Sequence, residues 1–278
     1  MHLILALDKN FERLAAVAVT SFLLHSSFES VIIVSPESDK FELLERIAHE
    51  FDILFVHQII QETSSLHRLP KNIQPYFYCI EALDQTLPGR YLYVDADTLC
   101  VADVQQLAEL ILRSNTPIAV CSHGRPMPDR SLILGLESPF HYFNAGVLLF
   151  DSEYLKRYLS PRMVVEYYLN HQCLCRFREQ CSLNTLLEGH VQFLPGQYNV
   201  LSWMRERNSN HQWHDSSVNS MAYCLPDIRQ NMKIVHFSNG ALPSNVPEGR
   251  RESMDRYWLL LEKGINQPAV LPNYSDLW

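Results

Sequence analysis

Short apolar runs separated by amphipathic stretches set the rhythm of the chain. Leu3–Leu7, Val31–Ser35, Ile53–Val56, Tyr91–Val94 and Ile118–Cys121 are four or five residues long and bounded by polar or turn residues. Such runs predict strands buried on both faces. Between them, Phe11–His25, Asp39–Glu50, Pro75–Gln85 and Val104–Leu112 predict helices. Asn10 is available as an N-cap for the first, and an Asp39/Glu42 pair opens the second like a capping box. The alternation argues for an α/β fold: a Rossmann-like, mixed but mostly parallel sheet flanked by helices. Ligands of such sheets bind beyond the carboxyl ends of the strands. Two acidic patches fall there, Asp8 after the first strand and Asp95/Asp97 after Tyr91–Val94.

The rhythm loosens after residue 122. "SHGRPMPDRSLILGLESP" is rich in turn residues and predicts a loop. "YFNAGVLLFD" (142–151) is strand-like and Tyr154–Asn170 helical. Val191–Leu194 and Lys233–Phe237 predict short strands, 201–230 an irregular flap, and Arg251–Glu262 a helix near the C-terminus.

Composition narrows the class. A net charge of -8 over 278 residues is not the basic balance of a nucleic-acid partner. No apolar stretch approaches the roughly 18–20 residues of a membrane helix. "MHLILALDKN" lacks a basic n-region and a cleavage site, so it reads as the first strand and the expected location is cytoplasmic. Seven cysteines, an odd number, argue for reduced thiols. His171, Cys173, Cys175 and Cys181 in "HQCLCRFREQC" match the paired knuckles of structural zinc poorly, and free cysteine commonly packs as a small hydrophobe.

Candidate chemistry starts at "RYLYVDADTLC". A buried strand running into two acids, with small Ala96 between them, needs a compensating partner. Asp95 and Asp97 can cap a helix, pair with a base or hold a cation. No glycine-rich phosphate loop is present, because the nine glycines are scattered. A divalent cation is the other way to neutralise a diphosphate, and carboxylates suit Mg2+ or Mn2+. His236 in "KIVHFSNG" ends another apolar run, and an imidazole beside two carboxylates favours Mn2+. Taken alone, His236 is more often a hydrogen-bonded structural histidine.

"ALDKNF", "YLYVDADTL", "YFNAGVLLFD" and "KIVHFSNG", in this order and spacing, resemble glycosyltransferase family 8 over about residues 1–240. The resemblance implies a GT-A fold for 1–245, with 246–278 a helical extension packed on it. It implies a retaining enzyme that moves glucose or galactose from a UDP-sugar, usually with Mn2+, to a glycan or glycolipid such as lipopolysaccharide. Asp95, Asp97 and His236 then resemble the metal ligands. Ala6, Asp8, Asn10 and Phe11 resemble the uridine-contacting stretch, Ala96 joins the donor-binding residues, and Asn144 and Ala145 resemble donor-sugar contacts. "REQCSLN" resembles the family's D-Q-D segment, with Gln180 on the reactive face and Glu179 the nearest carboxylate; Asn199 in "QYN" fits a further family asparagine.

The chain also departs from that pattern. Tyr78 stands where the family places a base before the D-x-D strand, Leu242 replaces a lysine, Asn239 replaces a glycine, and Cys181 replaces the second acid of D-Q-D. Arg250, Arg251, His67 and Arg68 are candidate substitutes for the missing cations. The departures fit a divergent enzyme, and equally a nucleotide-sugar-binding protein that transfers nothing. A metal-dependent nucleotidyl- or phosphotransferase is a third reading, opposed by "FNAGVLLF". "RRESMDRYWLLLEKG" is a candidate for peripheral membrane contact, weakened by its acids, and Trp258 with its leucines is expected to pack on the domain instead.

Overall fold

The computed structural model describes the chain apart from residues 37–39, 86, 125–126, 206–212, 216–219, 224–230, 239 and 278. Strands β1 (His2–Ala6), β2 (Ser30–Ser35), β3 (Leu54–Ile59), β4 (Arg90–Val94), β6 (Ile118–Ser122), β7 (Phe143–Asp151) and β8 (Val191–Leu194) form one sheet in the order β3-β2-β1-β4-β7-β6-β8. Only β7 runs against its neighbours; β1–β4, β1–β2, β2–β3 and β6–β8 are parallel pairs. The expected mixed, mostly parallel sheet is therefore present. A second, small sheet orders β5 (Thr98–Cys100), β12 (Ile234–His236) and β9 (Val200–Leu201). Strands β10 (Trp213–Asp215) and β11 (Ser220–Tyr223) pair as an antiparallel hairpin inside the stretch expected to be a flap, most of which lies outside the described residues.

Helices cover both faces because every second residue of the central strands points to the opposite side. Leu3, Leu5, Leu92, Val94, Val147 and Leu149 pack toward α1 (Glu12–His25) and α2 (Glu42–Glu50). Ile4, Tyr91, Tyr93, Leu148 and Phe150 pack toward α3 (Tyr78–Leu83), α7 (Pro161–Asn170) and α8 (Arg178–Leu186). The C-terminal helix, α9 (Ser253–Gly264), joins the first face: Tyr257, Trp258 and Leu261 are buried, and Trp258 meets Phe237 edge-on at 5.1 Å.

Several local expectations are corrected. Asn10 does not cap α1; Asp8 does the local capping, accepting the Asn10 N–H at 2.9 Å to close a 3-10 turn, Lys9–Phe11. The N-terminus of α2 is served across the fold, where Glu12 Oε1 accepts the Leu43 N–H at 3.0 Å; Asp39 lies outside the described residues. The predicted helix over Tyr154–Asn170 divides into α6 (Ser152–Leu155) and α7, since Pro161 cannot continue a helix but starts one well under the Ser160 cap. Val104–Leu112 contains only the single turn α4 (Gln106–Glu109), and the predicted loop after residue 122 contains α5 (Pro128–Leu134).

Tyr91 and Phe150 stack across β4 and β7 at 5.2 Å with both rings buried. Phe150→Ala is expected to cost about 3–5 kcal/mol of stability by removing that contact and leaving a cavity, read as a lowered denaturation midpoint in urea.

Candidate active site

Because β1 and β4 are parallel, their carboxyl ends lie side by side, and the N-terminal end of antiparallel β7 meets them. The Asp95 N–H donates to the Gly146 carbonyl at 2.9 Å. A tight turn follows, with Thr98 N–H and Oγ1 both donating to the Asp95 carbonyl (3.2 and 2.8 Å). The turn feeds β5, whose Thr98 is in register with His236 of β12. Two acids and one histidine, 139 residues apart by number between Asp97 and His236, are thus brought together by two strand pairings.

His236 Nε2 lies 3.2 Å from Asp97 Oδ1 and 3.6 Å from Asp95 Oδ2. One ligand atom from each of the three residues lies within 4.8 Å of the others. His236 Nδ1 faces Asn144 Oδ1 at 3.1 Å and Asn199 Oδ1 at 3.2 Å. With two acceptors there, Nδ1 carries the proton and Nε2 presents its lone pair to the carboxylates' side. Two hard oxygens and an imidazole nitrogen fit a divalent cation of the Mn2+ type. Gly146 makes room for them: a Cβ built on it would fall 2.1 Å from His236 Cε1 and 2.7 Å from Asp95 Oδ2.

The electrostatics match that reading. Burial first, then Asp97, raises the Asp95 carboxyl to about 6 against the opposing pull of His236. Burial also acts on Asp97, but the adjacent imidazole outweighs it and holds this carboxyl below its usual range. His236 is held above the ordinary histidine value because its two carboxylates outweigh its burial.

A cavity of about 510 Å³ opens beside these groups, lined among others by Ala6, Asp8, Phe11, Tyr78, Asp95, Ala96 and Asp97. It adjoins a smaller one of about 180 Å³, whose wall includes Tyr93, Ala145, Gly146, Glu179 and Gln180. Ala6, Pro75, Tyr76 and Asp95 line both. The larger has the size of a small-molecule site. Most of the sequence-predicted residues thus meet in one crevice. Asn10 lies on the turn between Asp8 and Phe11 without lining either cavity, and Asn144 and Asn199 stand behind His236.

Gln180 is fixed from both ends. Its Oε1 accepts from Asn144 Nδ2 (3.0 Å) and the Ala145 N–H (3.1 Å), and its Nε2 donates to Tyr142 Oη (3.0 Å). Tyr142 Oη is also 3.2 Å from Cys181 Sγ. Asn184, one turn along α8, accepts the Phe143 N–H at 2.8 Å and donates to the Phe143 and Gln180 carbonyls. The Ala145 bond is possible because a register shift after Val120 leaves Ala145–Val147 of β7 without partners in β6. Glu179 Oε2 is buried with no hydrogen-bond partner among the described residues, and burial holds its carboxyl well above the usual range.

Sequence reasoning did not single out Tyr93, Tyr142, Asn184, Tyr76 or Gly146. Tyr93 donates to Asp95 Oδ1 at 2.6 Å, and its i, i+2 spacing on one strand face was the available signal. Gly146, a glycine inside a strand run, signalled a close approach.

The family model for glycosyl transferase family 8 matches residues 2–243. The chain belongs to glycosyl transferase family 8. Among curated relatives, the lipopolysaccharide 1,2-glucosyltransferase of Escherichia coli (strain K12) is 27% identical over 223 residues, 74% of this chain and 64% of that protein. General stress protein A of Bacillus subtilis (strain 168) is 23% identical, over 65% of this chain and 63% of that protein. The matched segments therefore span less than two thirds of either relative. Among solved structures, an active-site mutant of LgtC superposes with a TM-score of 0.73 at 16% identity, covering 98% of both chains. GlyE of Streptococcus pneumoniae TIGR4 gives 0.66 at 18% identity, covering 95% of this chain and 62% of that one. These likenesses establish the GT-A fold for this family 8 chain.

Two outcomes follow for the cation site. Gly146→Ala is expected to weaken Mn2+ binding about 10–100-fold by displacing His236, measured by titration calorimetry, while the melting transition stays cooperative. Mn2+ affinity is expected to fall as pH drops through about 6, where Asp95 takes up a proton that the cation must displace, and to keep rising above it as His236 deprotonates. Affinity constant with pH from 5 to 8 would contradict these ligand assignments.

Proposed function

We propose that this glycosyltransferase is a metal-dependent, retaining hexosyltransferase that moves glucose or galactose from a UDP-sugar to a glycan acceptor, in lipopolysaccharide or another cell-surface glycan. The observation that carries the reading is the meeting of Asp95, Asp97 and His236 with the fixed amide of Gln180 in one crevice at the sheet edge. The 1,2-glucosyltransferase relative supports the acceptor class, and a galactosyltransferase LgtC complex with donor and acceptor sugar analogues supports the donor class, at 17% identity and a TM-score of 0.69.

Asp95, Asp97 and His236 would hold a divalent cation, Mn2+ or Mg2+, which when bound serves as a Lewis acid for the leaving diphosphate. Tyr93, Asn144 and Asn199 orient these three side chains through the bonds described above. The half-exposed ring of Phe11 offers a stacking wall for a base beside Ala6 and Asp8. In the smaller cavity Ala145, Glu179 and Gln180 face the space left for the sugar.

Retention requires either a nucleophile on the reactive face or attack by the acceptor on the face the leaving group vacates. An amide is a poor nucleophile, and both ends of Gln180 are already bonded to protein. Glu179 is held toward its neutral form by burial, and a protonated carboxyl is a hydrogen-bond donor rather than a nucleophile. Front-face transfer fits this pair. Gln180 Oε1 then supplies a fixed negative dipole beside an oxocarbenium-like centre.

No helix among the described residues is long and apolar enough to cross a membrane. We place the enzyme in the cytoplasm, reaching a lipid-linked acceptor by peripheral contact. A second reading, nucleotide-sugar binding without transfer, is favoured by one observation: among the described residues no lysine or arginine lines either cavity.

Labelled UDP-glucose and UDP-galactose, with a truncated lipopolysaccharide core as acceptor, separate these readings. Transfer with retained anomeric configuration is expected, lowered about a hundredfold or more by Asp97→Asn or His236→Ala and by chelation. Tight UDP binding without transfer to any acceptor would favour the second reading.

A further inference from the structure

The crevice has a charge problem. Asp8, Asp95, Asp97 and Glu179 all line it, and its walls among the described residues contain no lysine or arginine. A diphosphate would add further negative charge, more than one divalent cation offsets. The positions where the family resemblance expects bases hold Tyr78, which is buried in the larger cavity's wall, and Leu242.

Four cations adjoin crevice-lining residues in sequence: Lys9, Arg13, Lys71 and Arg178. Arg13 is engaged by Glu262, and Lys71 is exposed with no aromatic or polar anchor at the crevice among the described residues. Lys9 follows Asp8, but its Nζ is 2.7 Å from Glu12, bonds the Lys40 carbonyl and lies over the Phe41 ring. It is committed to the α1–α2 junction. Arg178 precedes Glu179 and Gln180 as the first residue of α8. Its guanidinium carbon is 3.7 Å from the centroid of the Tyr76 ring, and it forms no ion pair among the described residues. Tyr76 is 48% exposed and is one of four residues that line both cavities. A charge stacked on that ring is therefore carried by a residue of the wall that the two cavities share, although Arg178 itself lines neither cavity.

The stack also leaves the guanidinium's edge free. A guanidinium face on an aromatic ring keeps its N–H groups in its own plane, where they suit bidentate bonds to phosphate oxygens. The backbone of Arg178 is in the left-handed region, at φ 48°, a conformation uncommon for a bulky side chain. It persists because α8 is pinned by Gln180 and Asn184 and the Arg178 N–H donates to the Cys175 carbonyl at 3.0 Å.

We propose that Arg178, carried on the face of Tyr76, is the phosphate-binding residue of the donor site and supplies the positive charge absent at Tyr78 and Leu242. The assignment deepens the donor reading above and rests on it. Arg178 bonds the donor diphosphate directly, and Tyr76 holds the guanidinium against the pull of the neighbouring carboxylates.

Calorimetric titration of UDP and of uridine, both with Mn2+, into the wild-type chain, Arg178→Ala, Arg178→Lys and Tyr76→Leu tests this. Arg178→Ala is expected to weaken UDP about tenfold or more, as loss of a charge-assisted bond does, and to leave uridine within twofold. Arg178→Lys should recover part of the UDP affinity, and Tyr76→Leu should weaken UDP while keeping the charge. Unchanged Mn2+ affinity and melting temperature show that the variants fold. Wild-type affinity for UDP in Arg178→Ala overturns the proposal alone, as does an equal loss for UDP and uridine. Absence of UDP binding by the wild-type chain overturns the donor reading and the proposal with it.

Discussion

The close approach of His236 to the backbone at Gly146 is the constraint on which the crevice depends. A side chain at residue 146 would occupy the space of the imidazole and of the Asp95 carboxylate. With that space open, β12 brings a histidine from the end of the chain against acids at the end of β4. Every other site residue is arranged around this junction. Asn144 shows it most clearly, since its Oδ1 faces the Gly146 N–H, Asn199 Nδ2 and His236 Nδ1 while its Nδ2 reaches Gln180. One side chain links the candidate cation site to the Gln180 wall of the smaller cavity.

The electrostatics of the crevice are those of a site built to be completed by its ligands. Four carboxyl groups gathered in partly dehydrated surroundings repel one another, and burial pushes Asp95 and Glu179 toward their neutral forms. The strand end is held nonetheless: Tyr93 donates to the Asp95 carboxylate, Thr98 donates to the Asp95 carbonyl, and the Asp95 N–H donates to the Gly146 carbonyl of β7. Stability held back at such a place is commonly recovered on binding.

The central strands were legible in the sequence because they are short, apolar and bounded by turn residues, as doubly covered strands are; β3, read in the same way, is an edge strand with Leu54, Val56 and Ile59 exposed. The acids at strand ends were legible by position, and the meeting of Asp95, Asp97 and His236 by its motif context. Helix ends were less so. Asn10 has the right chemistry for a cap, yet Asp8 closes the turn, and α2 borrows Glu12 from another helix, a choice made by tertiary packing. The break at Ser160–Pro161 was visible in the residues themselves. Tyr142 and Asn184 were not, because their role depends on α8 lying against the end of β7, and a single sequence carries no sign of that pairing. Asn239 lies outside the described residues, so the structure adds nothing to the reading of its departure.

The register shift at the head of β7 has a consequence for how the crevice can move. The amide protons of Phe143, Ala145 and Gly146 are held by Asn184, Gln180 and Asn144, side chains rather than a neighbouring strand. Two of those three side chains belong to α8. A small tilt of that helix would release the Phe143 and Ala145 amides together, while Gly146 stays held by Asn144 of the same strand and the ladders of β1, β2 and β4 stay closed. Local opening of this kind lies far below global unfolding in free energy. The wall of the smaller cavity can therefore breathe on one helix, on a sheet that remains rigid behind it.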